Sequence, residues 1–193
     1  MRARPGGRVA VELDGVPWRT LPAEPVLRAG VGVGRELDRA TARTLRRELR
    51  RAEALAVAGR SLRAHDVSAR GLAAQLERAA VAPAARAEAL AALTSAGLLD
   101  DDRFVRRRAA VLAERGYGNA AIAADLERQG VSAELVGQAI GELEPEAGRA
   151  RAIVRHRGSG PRTARFLTGK GFEDDAVEAA LRPGEGDTAS YES

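Results

Sequence analysis

Ile122–Leu143 reads IAADLERQGVSAELVGQAIGEL, and 50 positions earlier Leu72–Leu93 reads LAAQLERAAVAPAARAEALAAL. A branched aliphatic residue opens each stretch, Leu-Glu-Arg follows, and Val81 and Val131 stand at the same place between two helical stretches. Val136, Ala139, Ile140 and Leu143 fall at i, i+3, i+4 and i+7, which on a 3.6-residue period is one apolar stripe. A third copy lies 41 positions further on, where Leu167, Gly171, Phe172, Val177 and Leu181 take the places of Leu126, Gly130, Val131, Val136 and Ile140. An additional helix is expected before each pair, over roughly 39–58, 101–115 and 145–157.

Local chemistry sharpens these boundaries. Asp100, Asp101 and Asp102 open the helix that carries Phe104, where carboxylates accept from free N–H groups and suit the macrodipole, and Gly116 closes it. Pro83 fits a first helical turn and Ser132 an N-cap. A unit of 40–50 residues buries too little to stand alone, so neighbouring units must share surface. The expected fold is all-α: three tandem three-helix repeats in an elongated curved array, with a short N-terminal β-hairpin. The hairpin is read from Val9, Val11 and Leu13, the turn Asp14-Gly15, and the extended run Val16 to Leu21, with Pro17 marking an edge strand. Pro22, Pro25 and the glycines from Gly30 to Gly34 predict a short helical piece and a turn. The division is then 1–37 for the hairpin and connecting segment, 38–99, 100–143 and 144–182 for the repeats, and 183–193 for an acidic disordered tail.

Composition agrees with a helical, soluble chain. Of 193 residues, 45% are hydrophobic and 30% charged, enough to exclude a disordered chain; 41 are alanine and aromatics are only 3%. The absence of cysteine excludes disulfides, thiolate metal sites and cysteine nucleophiles. No apolar run is long enough to span a membrane, and no apolar segment follows the basic start, so a cytoplasmic protein without membrane contact is expected. Of 31 basic residues 30 are arginine, and residues 1–182 hold 31 basic against 24 acidic side chains, a formal +7. Such a body suits a polyanion or an acidic protein surface.

Catalytic signatures are missing. Gly169-Lys170 lacks the glycine and hydroxyl residue of a phosphate loop, since Ala164 and Gly171 stand at those positions. Gly30 to Gly34 is not the dinucleotide fingerprint, and His65 and His156 have no second ligand at helical spacing. The Asp100–Asp102 triplet diverges around a helix start and reads as a cap rather than a cation site. No enzyme activity, cofactor or metal is expected. What remains is basic surface: Arg103, Arg106, Arg107, Arg108 and Arg115 with Tyr117 in the second repeat, then Arg149, Arg151, Arg155, Arg157, Arg162, Arg165 and Lys170 in the third. Guanidinium forks match phosphates and carboxylates alike. The scarcity of aromatics argues against base-specific reading of single strands.

Gly97-Leu98-Leu99-Asp100-Asp101-Asp102-Arg103-Phe104-Val105, followed by Arg115-Gly116-Tyr117-Gly118 and Leu126-Glu127-Arg128-Gln129-Gly130-Val131, resembles the middle repeat of the RecX family of bacterial recombination regulators. The Asp14-Gly15 hairpin and the three repeats match as well, over about residues 8–182; Gly71 departs from the pattern, which has Glu there. The resemblance implies a monomer that binds the RecA recombinase, chiefly as its filament on single-stranded DNA. It implies restraint of ATP hydrolysis, strand exchange and coprotease activity, or promotion of filament disassembly, with the basic residues named above contacting the filament and, non-specifically, single- or double-stranded DNA. The residues alone leave a second reading open, a general DNA-binding helical-repeat protein.

Overall fold

Asp14 and Gly15 have φ of 50° and 81°, the two positive angles that a tight two-residue connection between antiparallel strands demands. In the computed structural model, which describes residues 1–64 and 66–182, three strands open the chain: β1 (Arg2–Arg4), β2 (Arg8–Leu13) and β3 (Val16–Pro22). His65 and the acidic segment 183–193 lie outside the described residues. The expected hairpin is therefore two strands of a three-stranded antiparallel sheet ordered β1-β2-β3. β1 escaped the sequence reading because Arg-Ala-Arg has no apolar alternation; only its pairing, Arg2 with Ala10 and Arg4 with Arg8, defines it. Pro17 sits in β3, an edge strand, as its missing N–H requires.

The sheet buries Val11 and Leu21 against Val26 of α1 (Ala23–Arg28), Ala29, and Leu45 of α2 (Arg39–Ala64). α2 continues past its expected stop near residue 58 and forms a triplet with α3 (Ala69–Arg78) and α4 (Pro83–Ser95). Ala54 of α2 packs with Ala85 and Ala89 of α4 in a small cluster, all three buried. The second triplet is α5 (Asp101–Glu114), α6 (Asn119–Arg128) and α7 (Ala133–Gly141). The third is α8 (Glu146–Arg157), α9 (Pro161–Gly169) and α10 (Asp174–Leu181). Within every triplet each helix touches the other two. The chain divides into two compact units, Met1–Leu99 and a second beginning at Asp100.

The repeat seen in the sequence is a repeat of core positions. Leu76, Leu126 and Leu167 are equivalent and fully buried, as are Leu72 and Ile122; each contributes about 1.5–3 kcal/mol of apolar burial. Asp100 and Ser132 cap as expected, accepting from the N–H groups of Arg103 at 3.0 Å and Leu135 at 3.4 Å. Ser68 is a third cap, fully buried, and accepts from the Gly71 N–H at 3.0 Å.

The turn inside each repeat needs a left-handed residue. Gly130 and Gly171 supply it at φ 76° and 79°, but the first repeat has Ala80 there at φ 57°. An alanine in that region is strained by about 1–2 kcal/mol, of which glycine's greater unfolded-state freedom returns part. Ala80→Gly should therefore stabilise the protein by about 1 kcal/mol, read as a rise in thermal midpoint of a few degrees. An unchanged or lower midpoint would refute the strain.

Candidate anion-binding surface

Within the second unit the second and third triplets meet backbone to backbone. The Gly118 N–H donates to the Lys170 carbonyl at 2.9 Å and the Ala120 N–H to the Gly171 carbonyl at 3.1 Å. A Cβ on Gly118 would stand 2.2 Å from the Gly171 oxygen and from the Phe172 nitrogen, so no side chain fits there. Beside this contact Arg149 is only 8% exposed and Glu146 9%. Arg149 Nη1 donates to the Tyr117 carbonyl at 2.8 Å, Nε to the Glu144 carbonyl at 3.0 Å, and Nη2 to Asn119 Oδ1. Glu146 accepts from the backbone N–H of Asn119 at 2.5 Å and of Glu173 at 3.5 Å. Burial draws the proton affinity of Arg149 below that of a solvated guanidinium, opposed by the carboxylates of Glu146 and Glu144. Arg149 is thus withdrawn from the surface it was expected to furnish, and its fork is spent on protein acceptors.

Several other expected contacts are also engaged internally. Arg108 grips Asp125 with two hydrogen bonds, Nε to Oδ2 at 2.7 Å and Nη2 to Oδ1 at 3.1 Å, pinning α5 to α6. Those bonds hold the Asp125 carboxyl below the usual carboxylate range and the Arg108 guanidinium more firmly protonated. Arg106 lies 3.1 Å from Asp102 and 3.3 Å from Glu142, and Arg103 lies 3.9 Å from Asp100. Arg103, Arg106 and Arg107 are exposed, yet carboxylates already balance much of this charge. Tyr117 is half-buried, with the Lys170 ammonium 4.0 Å from its ring centroid, a cation–π contact across the joint. Arg115 is exposed and has no ion pair among the described residues.

On α8 and α9 the situation is reversed. From Ala147 to Phe172 the chain has seven basic residues and no Asp or Glu. Arg151, Arg155, Arg162 and Arg165 are exposed, and no carboxylate among the described residues pairs with any of them. Arg157, Arg162 and Arg165 surround a recess of about 480 Å³ at the α8–α9 corner, where Gly158 (φ 82°) turns the chain into α9. Arg157 is held over the Phe166 ring at 4.0 Å, which fixes the direction of its guanidinium. α9 begins with Pro161 and has neither a side-chain cap nor an acidic residue in its first turn. Its free N–H groups and dipole therefore add to the positive potential of the three arginines.

The sequence reading passed over a second basic surface. Arg39, Arg43 and Arg47 of α2 recur at steps of four, Arg43, Arg46 and Arg50 at steps of three and four, and all five are exposed. Their spacing is visible in the sequence as arginines three and four residues apart along one predicted helix. Among the described residues no group of three His, Cys, Asp or Glu is placed to hold a metal ion, and no helix is long and apolar enough to cross a membrane.

Fold and surface together define a helical-repeat protein that presents arginine guanidiniums on three-helix modules. Residues 100–140 match the sequence model of the second three-helix domain of RecX. A regulatory protein RecX of Acidithiobacillus ferrooxidans is 32% identical over 146 residues, which cover 69% of this chain and 92% of that protein. Regulatory proteins RecX of Stenotrophomonas maltophilia and Halorhodospira halophila are 33% and 35% identical, over 49% and 47% of this chain. Those two matches span 64% and 63% of the relatives' own length. A crystal structure of regulatory protein RecX superposes with a TM-score of 0.76 at 19% identity, covering 92% of this chain and 94% of the other. RecX from Lactobacillus salivarius gives a TM-score of 0.57 at 14% identity, over 68% of this chain and 94% of the other. The chain belongs to the RecX family of regulatory proteins.

Proposed function

We propose that the protein binds the RecA recombinase on its nucleoprotein filament and restrains ATP hydrolysis, strand exchange and coprotease activity. It acts by binding rather than by catalysis, as a cytoplasmic monomer, and touches DNA phosphates only as an accessory contact. The observation that carries this reading is the α8–α9 face, where exposed arginines stand without a compensating carboxylate. A filament groove offers acidic protein surface and phosphates together, and guanidinium forks fit both. Restraint follows if the face binds one filament state more tightly than another, because a ligand shifts an equilibrium only by its differential affinity.

Two measurements test this. The full chain should lower filament ATPase at sub-stoichiometric amounts and co-sediment with RecA on single-stranded DNA more strongly than with DNA alone. No effect on ATPase at equimolar protein sinks the reading. The alternative, a general DNA-binding protein, is favoured by the same guanidiniums and predicts equal retention on naked duplex. Its affinity would fall by about 0.9 log units per phosphate contact for each tenfold rise in salt.

A further inference from the structure

Arg43, Arg46, Arg47 and Arg50 of α2 line one side of a groove of about 290 Å³ whose floor is Ala84 and Ala85 of α4. Glu88 is the one carboxylate on its wall. Arg39 continues the row toward the start of α2, so the guanidiniums form a ladder with steps of about 6 Å. The arrangement works against the helix that carries it. Arg39 with Arg43, Arg43 with Arg47, Arg46 with Arg50, and Arg47 with Arg51 are like charges at i,i+4, which destabilise a helix. Arg39 also places positive charge in a first turn that has no acidic residue, offset by the Asp38 cap, whose carboxylate accepts from the Thr41 N–H at 2.7 Å. Glu48 answers only Arg47 at 3.5 Å and Arg51 at 3.7 Å; Arg39, Arg43, Arg46 and Arg50 have no ion pair among the described residues.

We infer that this groove is a second anion-binding site, built for a linear chain of phosphates. A repeating ligand is required because the charges repeat along one line rather than converging on a point. Phosphate fits better than an acidic protein helix because the floor is alanine. It offers no large apolar side chain or pocket for the aromatic or aliphatic anchor that protein interfaces depend on. Planar guanidinium forks supply the binding, and it is strongly salt-dependent. The site lies in the first compact unit, separate from the α8–α9 face, and does not depend on the recombinase reading.

The test uses the full chain with a labelled oligothymidylate, in the absence of recombinase, titrated over a range of salt. The quadruple variant Arg43→Gln, Arg46→Gln, Arg47→Gln, Arg50→Gln should reduce the slope of log K against log salt by about 2–3, at 0.7 per lost single-strand phosphate contact. Because it removes repulsion, the variant should melt no lower than the parent, which separates lost binding from lost fold. Arg151→Gln, Arg155→Gln, Arg162→Gln, Arg165→Gln should leave the share of the slope that belongs to α2 in place. Linear polyphosphate should displace the oligonucleotide, and polyglutamate of equal charge should not. If polyphosphate binds directly and the oligonucleotide does not, the natural source is free polyphosphate and the site stands. An unchanged slope in the α2 variant, failure of both phosphate chains to bind the parent, or equal displacement by polyglutamate overturns the inference. Filament co-sedimentation, read separately, decides the recombinase reading on its own.

Discussion

Arg149→Ala should cost the second unit about 3–5 kcal/mol, the expected loss when one partner of a buried charged network is removed. The guanidinium satisfies the carbonyls of Tyr117 and Glu144 and the side chain of Asn119. It also lies in the field of Glu146, which is itself only 9% exposed. Truncation to alanine leaves these acceptors without a donor and removes the positive charge that interacts with Glu146, where water has little access. At roughly 4–8 °C per kcal/mol for a domain of this size, the melting transition should fall by more than about 10 °C. Arg149→Lys should not restore it, because an ammonium cannot reach three acceptors that lie in different directions around a planar fork. Calorimetry of both variants checks this; a transition within 2 °C of the parent, on the order of 0.5 kcal/mol, would show that the network is dispensable.

The second large effect is functional. Replacing Arg151, Arg155, Arg162 and Arg165 together by Glu should weaken association with the recombinase filament at least 100-fold. Each exposed pair is worth up to about 1 kcal/mol, and reversal replaces attraction by repulsion, so four positions exceed the 2.8 kcal/mol that two decades require. The loss should shrink as salt approaches 1 M, where screening reaches about 3 Å. All four side chains are exposed and none is ion-paired among the described residues, so the fold should be unaffected. The matching reversal of Arg103, Arg106 and Arg107 should act more weakly, because Asp100, Asp102 and Glu142 already balance part of that charge. Co-sedimentation of the two variants side by side is decisive. Full retention of the α8–α9 variant on filaments would remove the surface from the proposal.

The repeated core was legible because burial imposes periodicity. Leu72, Leu76, Ile122, Leu126 and Leu167 had to recur for three similar triplets to close, and the spacing exposes them. Caps were legible where a short oxygen-bearing side chain precedes an apolar run, as at Asp100 and Ser132. β1 was not, because three residues with two arginines leave no pattern for an isolated strand. Arg149 was misplaced for a different reason. In the sequence it is one arginine in a basic run, and only tertiary structure brings the Tyr117 carbonyl, 32 residues earlier, within 2.8 Å of it. Tyr117 and Lys170 were each assigned to a contact surface, but their ring and ammonium meet each other first. The α8–α9 arginines stay unpaired because the chain has no Asp or Glu from Ala147 to Phe172.

Gly118 and Gly171 have a mechanical consequence. Where the second and third triplets meet at Gly118 and Gly171, main chain is bonded to main chain, and the side chains of Arg149 and Glu146 add bonds beside that contact. A tug on the guanidiniums of α8 and α9 is therefore carried through peptide groups into α6 and the helices packed around it. Pulling these two modules apart would break main-chain and side-chain bonds together, so they should separate only as the second unit unfolds.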